Sequence, residues 1–188
     1  MSLKIERLAI PDVLLIEPAR FGDARGFFSE VWSHRAFAAQ GLDVTFVQDN
    51  HSLSHEAGVL RGLHFQRPPA AQGKLVRVVR GSILDVAVDI REGSPTYSRH
   101  VAVELSAANW RQLWVPRGFA HGFCTLEPDT EVLYKVDAYY DRGADAGIAW
   151  DDPALGIAWP VGAPVLSDKD RAAPRLAAIP APFPRGSW

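Results

Sequence analysis

Hydrophobic and polar residues alternate most regularly in the middle of the chain, where the segments KLVRVV and SILDVAVDI flank an Arg-Gly turn. In the second segment Leu84, Val86 and Val88 fall on one face, and Asp85 and Asp89 fall on the other. Side chains on a β-strand point alternately to its two faces, so a period of two indicates a strand. The pattern therefore predicts two strands joined by a tight turn.

Turn-forming residues divide most of the remaining sequence into short segments. Fifteen glycines and fourteen prolines punctuate the 188 residues, and this spacing favours a β-sandwich or barrel over a helical bundle. Further strands are predicted at Val13–Glu17, Phe27–Trp32, Thr45–Asn50, Gly58–Gln66, His100–Glu104, Arg111–Val115, Gly122–Leu126 and Glu131–Tyr139.

Helical patterns are rare. The best candidate is Ser33–Gln40, which Gly41 would end and in which Ser33 would be the N-cap. Prolines recur from Asp151 onward, and a short helix is predicted near Asp168–Ala173. We therefore expect a single all-β domain over residues 1–188, in which residues 151–188 form a C-terminal extension that wraps around the rest.

Composition and charge narrow the possible functions. Twenty Lys and Arg residues oppose 22 Asp and Glu residues, a net charge of −2 that argues against a nucleic-acid-binding surface. No apolar run approaches the roughly 20 residues of a membrane span, and Glu6 and Asp12 interrupt any signal-peptide core. Cys124 is the only cysteine, which excludes an intrachain disulfide and suits a cytoplasmic protein.

Two histidines and one lysine lie in strand-like surroundings. His64 and His121 are each either a hydrogen-bonded structural histidine or a general base, because imidazole titrates near neutral pH. Lys74 enters an apolar strand; it is either a snorkelling lysine at a sheet edge or a buried cation. The sequence alone leaves both choices open.

Arginines and a tyrosine add candidates for anion recognition and acid chemistry. Arg25, Arg61 and Arg77 could pair with phosphate oxygens, although most arginines lie on the surface. A regular strand would place Arg61 and His64 on opposite faces, unless Gly62 marks a bulge that re-aims one of them. Tyr134 lies among valines and by itself reads as a core tyrosine.

A metal site has to be considered, because two histidine-bearing strands in a β-barrel suggest the cupin fold. Metal-binding cupins carry His-x-His and a later Glu in their first motif. Here that motif reads His64-Phe65-Gln66, and Gln72 occupies the position of the acid. Neutral amides are poor ligands for transition metals, so we predict that no metal is bound.

Several motifs taken together resemble the dTDP-4-dehydrorhamnose 3,5-epimerase family. They extend over almost the whole chain, and RGLH, QGKLV and PRGFAHGF are the most specific. The matching stretches are DARGFFSE, FVQDNHS, VLRGLHFQ, QGKLVRVVRGSILDVAVDIREGSPT, RQLWVPRGFAHGF, LYKVDAYY, WDDPALGIAWP and LSDKD.

The resemblance implies a cupin-type jelly roll that acts as a homodimer on a dTDP-linked 4-keto-6-deoxy sugar, without metal or organic cofactor. By position, His64 is similar to the family's general base and Asp170 to its partner, Tyr134 to the proton donor, and Lys74 to the residue beside the keto oxygen. Tyr140 resembles the aromatic residue that stacks on thymine. The remaining positions at which family members contact the nucleotide-sugar are Arg25, Glu30, Gln48, Asn50, Arg61, His121, Asp145 and Lys169.

Three other functions stay open at this point. The chain could invert a single carbon of a related nucleotide-linked keto-sugar, since both carbons use the same base. It could instead bind nucleotide-sugars without catalysis, although binding alone needs neither a base nor an opposed acid. A metal-dependent cupin oxygenase or isomerase is disfavoured by Gln66 and Gln72. Asp145 stands where many family members have Glu, and the matching stretches of the resemblance end at Asp170, so they do not cover the tail.

Overall fold

Two antiparallel β-sheets stacked face to face make up most of the computed structural model, which describes residues 3–186 and 188. The larger sheet has the strand order β1-β2-β10-β7-β12-β5 and the smaller one β13-β6-β11-β8-β9, while β3 and β4 form a separate hairpin. The strands are β1 Leu3–Arg7, β2 Leu14–Pro18, β3 Phe21–Asp23, β4 Gly26–Phe28, β5 Gln48–Ser54, β6 Leu60–Gln66, β7 Lys74–Arg80, β8 Ser82–Asp89, β9 His100–Ser106, β10 Gln112–Val115, β11 Phe119–Thr125, β12 Thr130–Val136 and β13 Asp145–Gly147. The helices are α1 His34–Ala38, α2 Asp168–Arg171 and a 3₁₀ turn at Leu176–Ala178.

The main core lies between the two sheets. Val76 and Val132 of the larger sheet pack there with Ile83, Leu105 and Phe123 of the smaller sheet, all of them buried. This sandwich is the cupin-type jelly roll that the resemblance implies, and the all-β prediction is confirmed.

Each sheet is also covered on its outer face. Helix α1 and the segments beside it bury Phe37 against Leu75 and Trp114 of the larger sheet. On the smaller sheet, Leu176 and Phe183 of the C-terminal segment pack over β6, β8 and β11. Strand β8 is consequently buried on both faces, and Asp85 and Asp89 are fully buried.

The strand predictions are correct in kind, and several are wrong in extent. Strand β4 ends at Phe28, so residues 29–32 of the predicted strand Phe27–Trp32 are irregular. Strand β5 covers Gln48–Ser54, where Thr45–Asn50 is predicted. Strand β11 begins at Phe119, three residues before the prediction, and β12 ends at Val136, three residues earlier. Strands β1, β3 and β13 are missing from the prediction.

The helix predictions are each too long. Helix α1 covers His34–Ala38 within the predicted Ser33–Gln40. Ser33 occupies the predicted N-cap position, but its side chain makes no capping hydrogen bond. Gly41 follows the helix with a φ of 90°, a backbone conformation that favours glycine. Helix α2 ends two residues before the predicted Ala173. Within residues 3–186 and 188, none of the helices has the length and hydropathy to cross a membrane.

The C-terminal segment returns to the first half of the chain. Val165 forms a parallel bridge with Val59, immediately before β6. Two residues later Ser167 caps helix α2 by accepting a hydrogen bond from the Asp170 N–H at 3.1 Å. These contacts place Asp170 beside β6.

Candidate active site

A cavity of about 400 Å³ opens between the two sheets. Its walls come from both sheets and from the C-terminal segment, so residues far apart in the sequence meet there. The lining residues are Ser52, Val59, Leu60, Arg61, His64, Lys74, His121, Phe123, Tyr134, Val165, Leu166, Ser167 and Asp170.

His64 and Asp170 form a hydrogen-bonded pair at the wall of this cavity. The His64 Nε2 atom contacts Asp170 Oδ1, and Ser167 Oγ donates to Asp170 Oδ2 at 2.9 Å. Burial by itself would raise the pKa of Asp170, but hydrogen bonds from His64, Ser167 and the Gly62 N–H, with the His64 charge, hold the pKa below its usual value. The carboxylate therefore stays ionised, and it orients an imidazole whose side chain is 31% exposed.

A register shift at Gly62 determines where the neighbouring side chains of β6 point. Between β6 and β11, His64 pairs with His121, but Arg61 pairs with Phe123, so β6 carries an extra residue there. Gly62 has a φ of 131°, and a Cβ atom on it would lie 2.6 Å from the Cα of Gly122. Only glycine fits this close approach. The bulge brings both Arg61 and His64 to the cavity, which settles the question that strand parity leaves open.

Lys74 is buried in the middle of the larger sheet. It lies on β7, between β10 and β12, and only 9% of its surface is exposed, so the reading as an edge lysine is wrong. Its ammonium group donates to the backbone oxygen of His64 at 3.4 Å. Burial lowers the pKa of Lys74 to about 8, against the opposing effect of the negative charges of Asp85 and Asp145; the positive charge of Lys169 lowers it further. A cation is thereby held next to the imidazole of His64.

Tyr134 projects into the cavity from β12, in the sheet opposite His64. Burial raises the pKa of its phenol, and the nearby Arg61 charge partly offsets this. No protein group in the described part of the chain is hydrogen-bonded to its hydroxyl. A neutral phenol therefore lies across the cavity from the His64 imidazole.

His121 has a carboxylate partner that the sequence reasoning missed. Its Nε2 atom lies 2.6 Å from Oδ1 of Asp85, which is fully buried on β8. Asp85 shares its strand face with Ile83 and Ala87, and both are buried in the main core. An aspartate between two apolar residues of the same face is the signal that could have identified it.

The predicted nucleotide-binding residues mostly form one chain of hydrogen bonds beside the cavity. Gln48 donates to Asn50 and accepts from the Tyr140 N–H, at 2.8 and 3.1 Å. The Tyr140 hydroxyl donates to Asp145 at 3.1 Å, which raises the pKa of that phenol, and Lys169 pairs with the same carboxylate oxygen. We call this set, Gln48, Asn50, Tyr140, Asp145 and Lys169, the rim.

Three other candidates lie apart from the cavity within a single chain. Arg25 occupies the turn between β3 and β4, where its exposed guanidinium pairs with Asp23. Glu30 lines a different surface cavity together with Ser33. Arg77 lines a small pocket on the outer face of the larger sheet, where partial burial lowers its pKa.

The two amides at the cupin ligand positions are engaged with the backbone. The Gln66 side chain donates to the Ala70 oxygen and accepts from the Asp141 N–H, at 2.6 and 2.7 Å. Gln72 donates to the Ala138 oxygen at 2.7 Å. Among the residues that the structure describes, no group of three or more His, Cys, Asp and Glu side chains is arranged around a common point for a metal ion.

The cupin-type sandwich thus encloses an imidazole–carboxylate pair, a buried ammonium group and an opposed phenol around one cavity. Residues 7–178 match the family model described as dTDP-4-dehydrorhamnose 3,5-epimerase. The chain belongs to this family.

Individual relatives are similar to this chain in sequence or structure over nearly their full length. The chain is 55% identical to the dTDP-4-dehydrorhamnose 3,5-epimerase of Sinorhizobium fredii over 183 residues, covering 97% of this chain and 94% of the relative. The Bacillus anthracis enzyme of that name, crystallised with TDP and pyrophosphate, is similar with a TM-score of 0.91, 52% identity and coverages of 93% and 99%. The Legionella pneumophila dTDP-6-deoxy-D-glucose-3,5-epimerase, in complex with dTDP-4-keto-L-rhamnose, gives a TM-score of 0.93, 46% identity and 98% coverage of both chains.

Proposed function

We propose that this protein epimerises dTDP-4-dehydro-6-deoxy-D-glucose at carbons 3 and 5 to dTDP-4-dehydro-L-rhamnose, in deoxysugar biosynthesis and without a cofactor. The observation that carries the proposal is the arrangement of His64 and Tyr134 on opposite sheets, with Lys74 beside the base. Inversion requires a proton to leave one face of the sugar and another to arrive on the opposite face. A base and an acid on facing walls suit that requirement.

His64 removes the proton in this proposal. Carbons 3 and 5 both flank the carbon-4 carbonyl, so one base that reaches both C–H bonds serves both inversions. The ionised Asp170 fixes the ring through Nε2 and stabilises the imidazolium that forms, as the acid of a hydrolase triad does. The Nδ1 atom of His64 is then the nitrogen that accepts the substrate proton.

Lys74 stabilises the enolate. Loss of either proton places negative charge on the same carbon-4 oxygen, so one cation acts in both steps. A preorganised charge in a water-poor site is typically worth about 3–4 kcal/mol in the transition state. Lys74 is buried and held by a backbone oxygen, so it needs little rearrangement to act.

Tyr134 returns the proton from the other face. Its pKa is raised by burial, so the phenol is protonated at neutral pH and can donate to the enolate carbon. The resulting phenolate regains its proton from solvent through the open mouth of the cavity, and the His64 imidazolium releases the substrate proton to solvent, which restores both groups. The carbon is then inverted, whereas return of the proton by His64 would restore the original configuration.

The rim and Arg61 bind the nucleotide portion. Arg61 donates to the Ser54 hydroxyl and the Leu53 oxygen, which holds its guanidinium at the cavity wall, where it can pair with the diphosphate. His121 contacts the nucleotide-sugar from the cavity floor, and Tyr140, which is 57% exposed, stacks on the thymine ring. Binding energy from these contacts orients the sugar between base and acid.

A second subunit completes the site. The β3–β4 hairpin carries Phe21, Phe27 and Phe28 with 53%, 57% and 65% of their surfaces exposed, next to Arg25. Exposed aromatic clusters of this kind are typical of subunit interfaces. We infer a homodimer in which each hairpin supplies Arg25, and the segment directly after it supplies Glu30, to the other subunit's cavity. The dimer works in the cytoplasm, consistent with the single buried cysteine.

Mixed dimers test this sharing. If Arg25 acts in the other subunit, mixing inactive Arg25→Ala and His64→Ala proteins restores activity, because half of the sites in a mixed dimer are intact. A failure of mixing to restore any activity, with subunit exchange verified, would contradict the arrangement.

Proton NMR in deuterated water tests the reaction itself. Incubation with dTDP-4-keto-6-deoxyglucose should replace hydrogen by deuterium at carbons 3 and 5 and give the inverted sugar, which a rhamnose-forming reductase would then consume. Exchange at only one carbon would indicate a single-centre epimerase. The absence of exchange with retained binding would indicate a nucleotide-sugar-binding cupin.

A further inference from the structure

His121, at the cavity wall, belongs to a second imidazole–carboxylate pair, and the carboxylate of that pair, Asp85, has no role in the proposed chemistry. His121 on β11 and Asp85 on β8 are neighbours in the smaller sheet, and His121 pairs in register with Ala87, two residues from Asp85. His121 is 7% exposed and Asp85 is fully buried. An ionised carboxylate has no hydrogen-bond donor and can only accept. The Nε2 atom of His121 is therefore the donor in its hydrogen bond with Asp85.

Asp85 is unusually poor in partners for a buried carboxylate. Asp170 and Asp89 each engage both of their oxygens in hydrogen bonds. The Oδ2 atom of Asp85, by contrast, is buried and has no hydrogen-bond partner among residues 3–186 and 188. A buried carboxylate in this state is costly unless a cation compensates it.

The compensating cation is Lys74. Its strand, β7, lies in the facing sheet, and Lys74 and His121 line the same cavity. Burial pushes the pKa of Lys74 down to about 8, and the Asp85 charge is the largest influence in the opposite direction. The other titratable or charged groups around Lys74 are Arg61 and His64 on β6, His121 on β11, Tyr134 on β12, Asp145 on β13, and Lys169 and Asp170 on α2.

Asp145 is the weaker counter-charge for a structural reason. It lies on the rim, where Lys169 and Tyr140 already share one of its oxygens. Its negative charge is thus partly neutralised before it acts on Lys74. Among the described residues, Asp85 is paired with the His121 imidazole and forms no ion pair with a lysine or arginine that would neutralise it in the same way.

We propose that Asp85 is a positioning residue of the epimerase site: it holds the His121 ring with Nδ1 free toward the cavity, and it keeps the buried Lys74 cationic. The inference rests on the proposed function, because the cation is needed only if an enolate forms beside it. The two tasks use different properties of Asp85, since the first requires a hydrogen-bond acceptor and the second requires a negative charge.

Asp85→Asn separates the two tasks. The asparagine oxygen still accepts from His121 Nε2, so the ring keeps its orientation while the charge is lost. The basic limb of the pH profile of kcat/KM should move to lower pH by about one unit, with little change at pH 6. Asp85→Ala also loses the acceptor and should show a further rise in KM. Asp145→Asn, the matched control, should move the basic limb less.

The closing experiment measures the lysine directly. The chain has only four lysines, Lys4, Lys74, Lys135 and Lys169, so their ¹³Cε NMR signals can be assigned by single replacements. In Asp85→Asn protein the pKa of Lys74 should fall by about one unit or more, and that of Lys135, which pairs with Asp49, should not move.

An unchanged Lys74 titration in Asp85→Asn protein whose circular dichroism is native would overturn the proposal. So would a uniform loss of activity across pH with no shift of the basic limb. The lysine titration does not depend on turnover. A wild-type protein that shows no proton exchange would therefore refute the proposed function separately, and the titration would still decide whether Asp85 controls Lys74.

Discussion

The interior of the cavity and its rim are built on different principles. His64, Lys74 and Tyr134 project from strands that have neighbours on both sides, and their backbone positions are fixed by two sheets. On the rim, Tyr140 and Lys169 come from a loop and a short helix, are exposed, and are linked through Asp145 by side-chain hydrogen bonds. The other rim residues, Gln48, Asn50 and Asp145, lie on the edge strands β5 and β13. Proton transfer requires fixed distances, whereas nucleotide binding tolerates adjustment. The candidate proton-transfer groups accordingly lie on inner strands, and the candidate nucleotide-binding groups lie at the edge of the cavity.

The largest effect on activity is expected when His64 is removed from the cavity interior. We expect His64→Ala to lower exchange at carbon 3 and at carbon 5 by about 10²–10⁴-fold, because no other imidazole at the cavity is paired with Asp170. Deuterium incorporation followed by NMR measures both rates. His51→Ala is the matched control, since His51 lies on the surface and pairs with Glu131. A His64→Ala protein with near wild-type exchange would refute the assignment of the base.

Replacement of the opposed acid should separate exchange from inversion. In Tyr134→Phe protein His64 still abstracts protons, so deuterium still enters, but the inverted sugar should form about 10²-fold more slowly. The ratio of exchange to inversion, measured in one NMR time course, reports this directly. Equal losses of both would mean that Tyr134 does not act as a separate proton donor.

A rise in pH should lower kcat, which depends on the cavity interior, and leave nucleotide binding at the rim unchanged. Lys74 acts as a cation with a pKa of about 8, so kcat should fall roughly tenfold per pH unit above that value. Nucleotide affinity, measured with dTDP, should change little over the same range. A flat kcat between pH 8 and 9.5 would contradict a role for charged Lys74.

The same titration of Lys74 should raise the free energy of unfolding as the pH rises, whereas it lowers kcat. The folded protein releases the Lys74 proton near pH 8, whereas the unfolded chain keeps it up to about 10.5, so the unfolded state binds more protons in this window. Lys74 therefore adds free energy of unfolding as the pH rises, by up to about 1.4 kcal/mol per unit. Urea unfolding of wild-type and Lys74→Met proteins at pH 8 and pH 10 isolates this contribution.

The smallest effect is expected at the rim. Tyr140→Ala should raise KM roughly tenfold and leave kcat nearly unchanged, because a single base–aromatic stack is worth about 1–3 kcal/mol. Tyr139→Ala provides the matched control: its neighbouring ring is 69% exposed, and its backbone oxygen, which accepts from Gln66, is retained. Equal effects of the two variants would show that neither ring specifically contacts the base.

Local patterns were sufficient to predict the sheets, because alternation and turn residues act over a few positions. Strand β8 illustrates both the success and its limit. Its period of two indicates a strand, but the burial of Asp85 and Asp89 depends on a second sheet and a covering segment that are distant in the sequence. The central position of Lys74 likewise follows from the pairing of β7 with β10 and β12, which no local pattern contains.

The residues of the candidate site could be predicted from the sequence only because the family resemblance indicates their positions. Nothing in the sequence by itself places Asp170 next to His64, because 106 residues separate them. The bulge at Gly62 was foreseen as a possibility, and the close approach of Gly122 is the physical reason for it. Arg25 and Glu30 do not line the cavity of the single chain, and only the proposed homodimer would bring them to a cavity.

The C-terminal segment both carries Asp170 to His64 and covers an apolar face of the smaller sheet. The same stretch that delivers Asp170 to the base also covers Leu63, Val86 and Val88 with Leu176 and Phe183. A chain truncated before this stretch loses the partner of its base and simultaneously exposes an apolar sheet face. Such a product would be a substrate for chaperones and proteases.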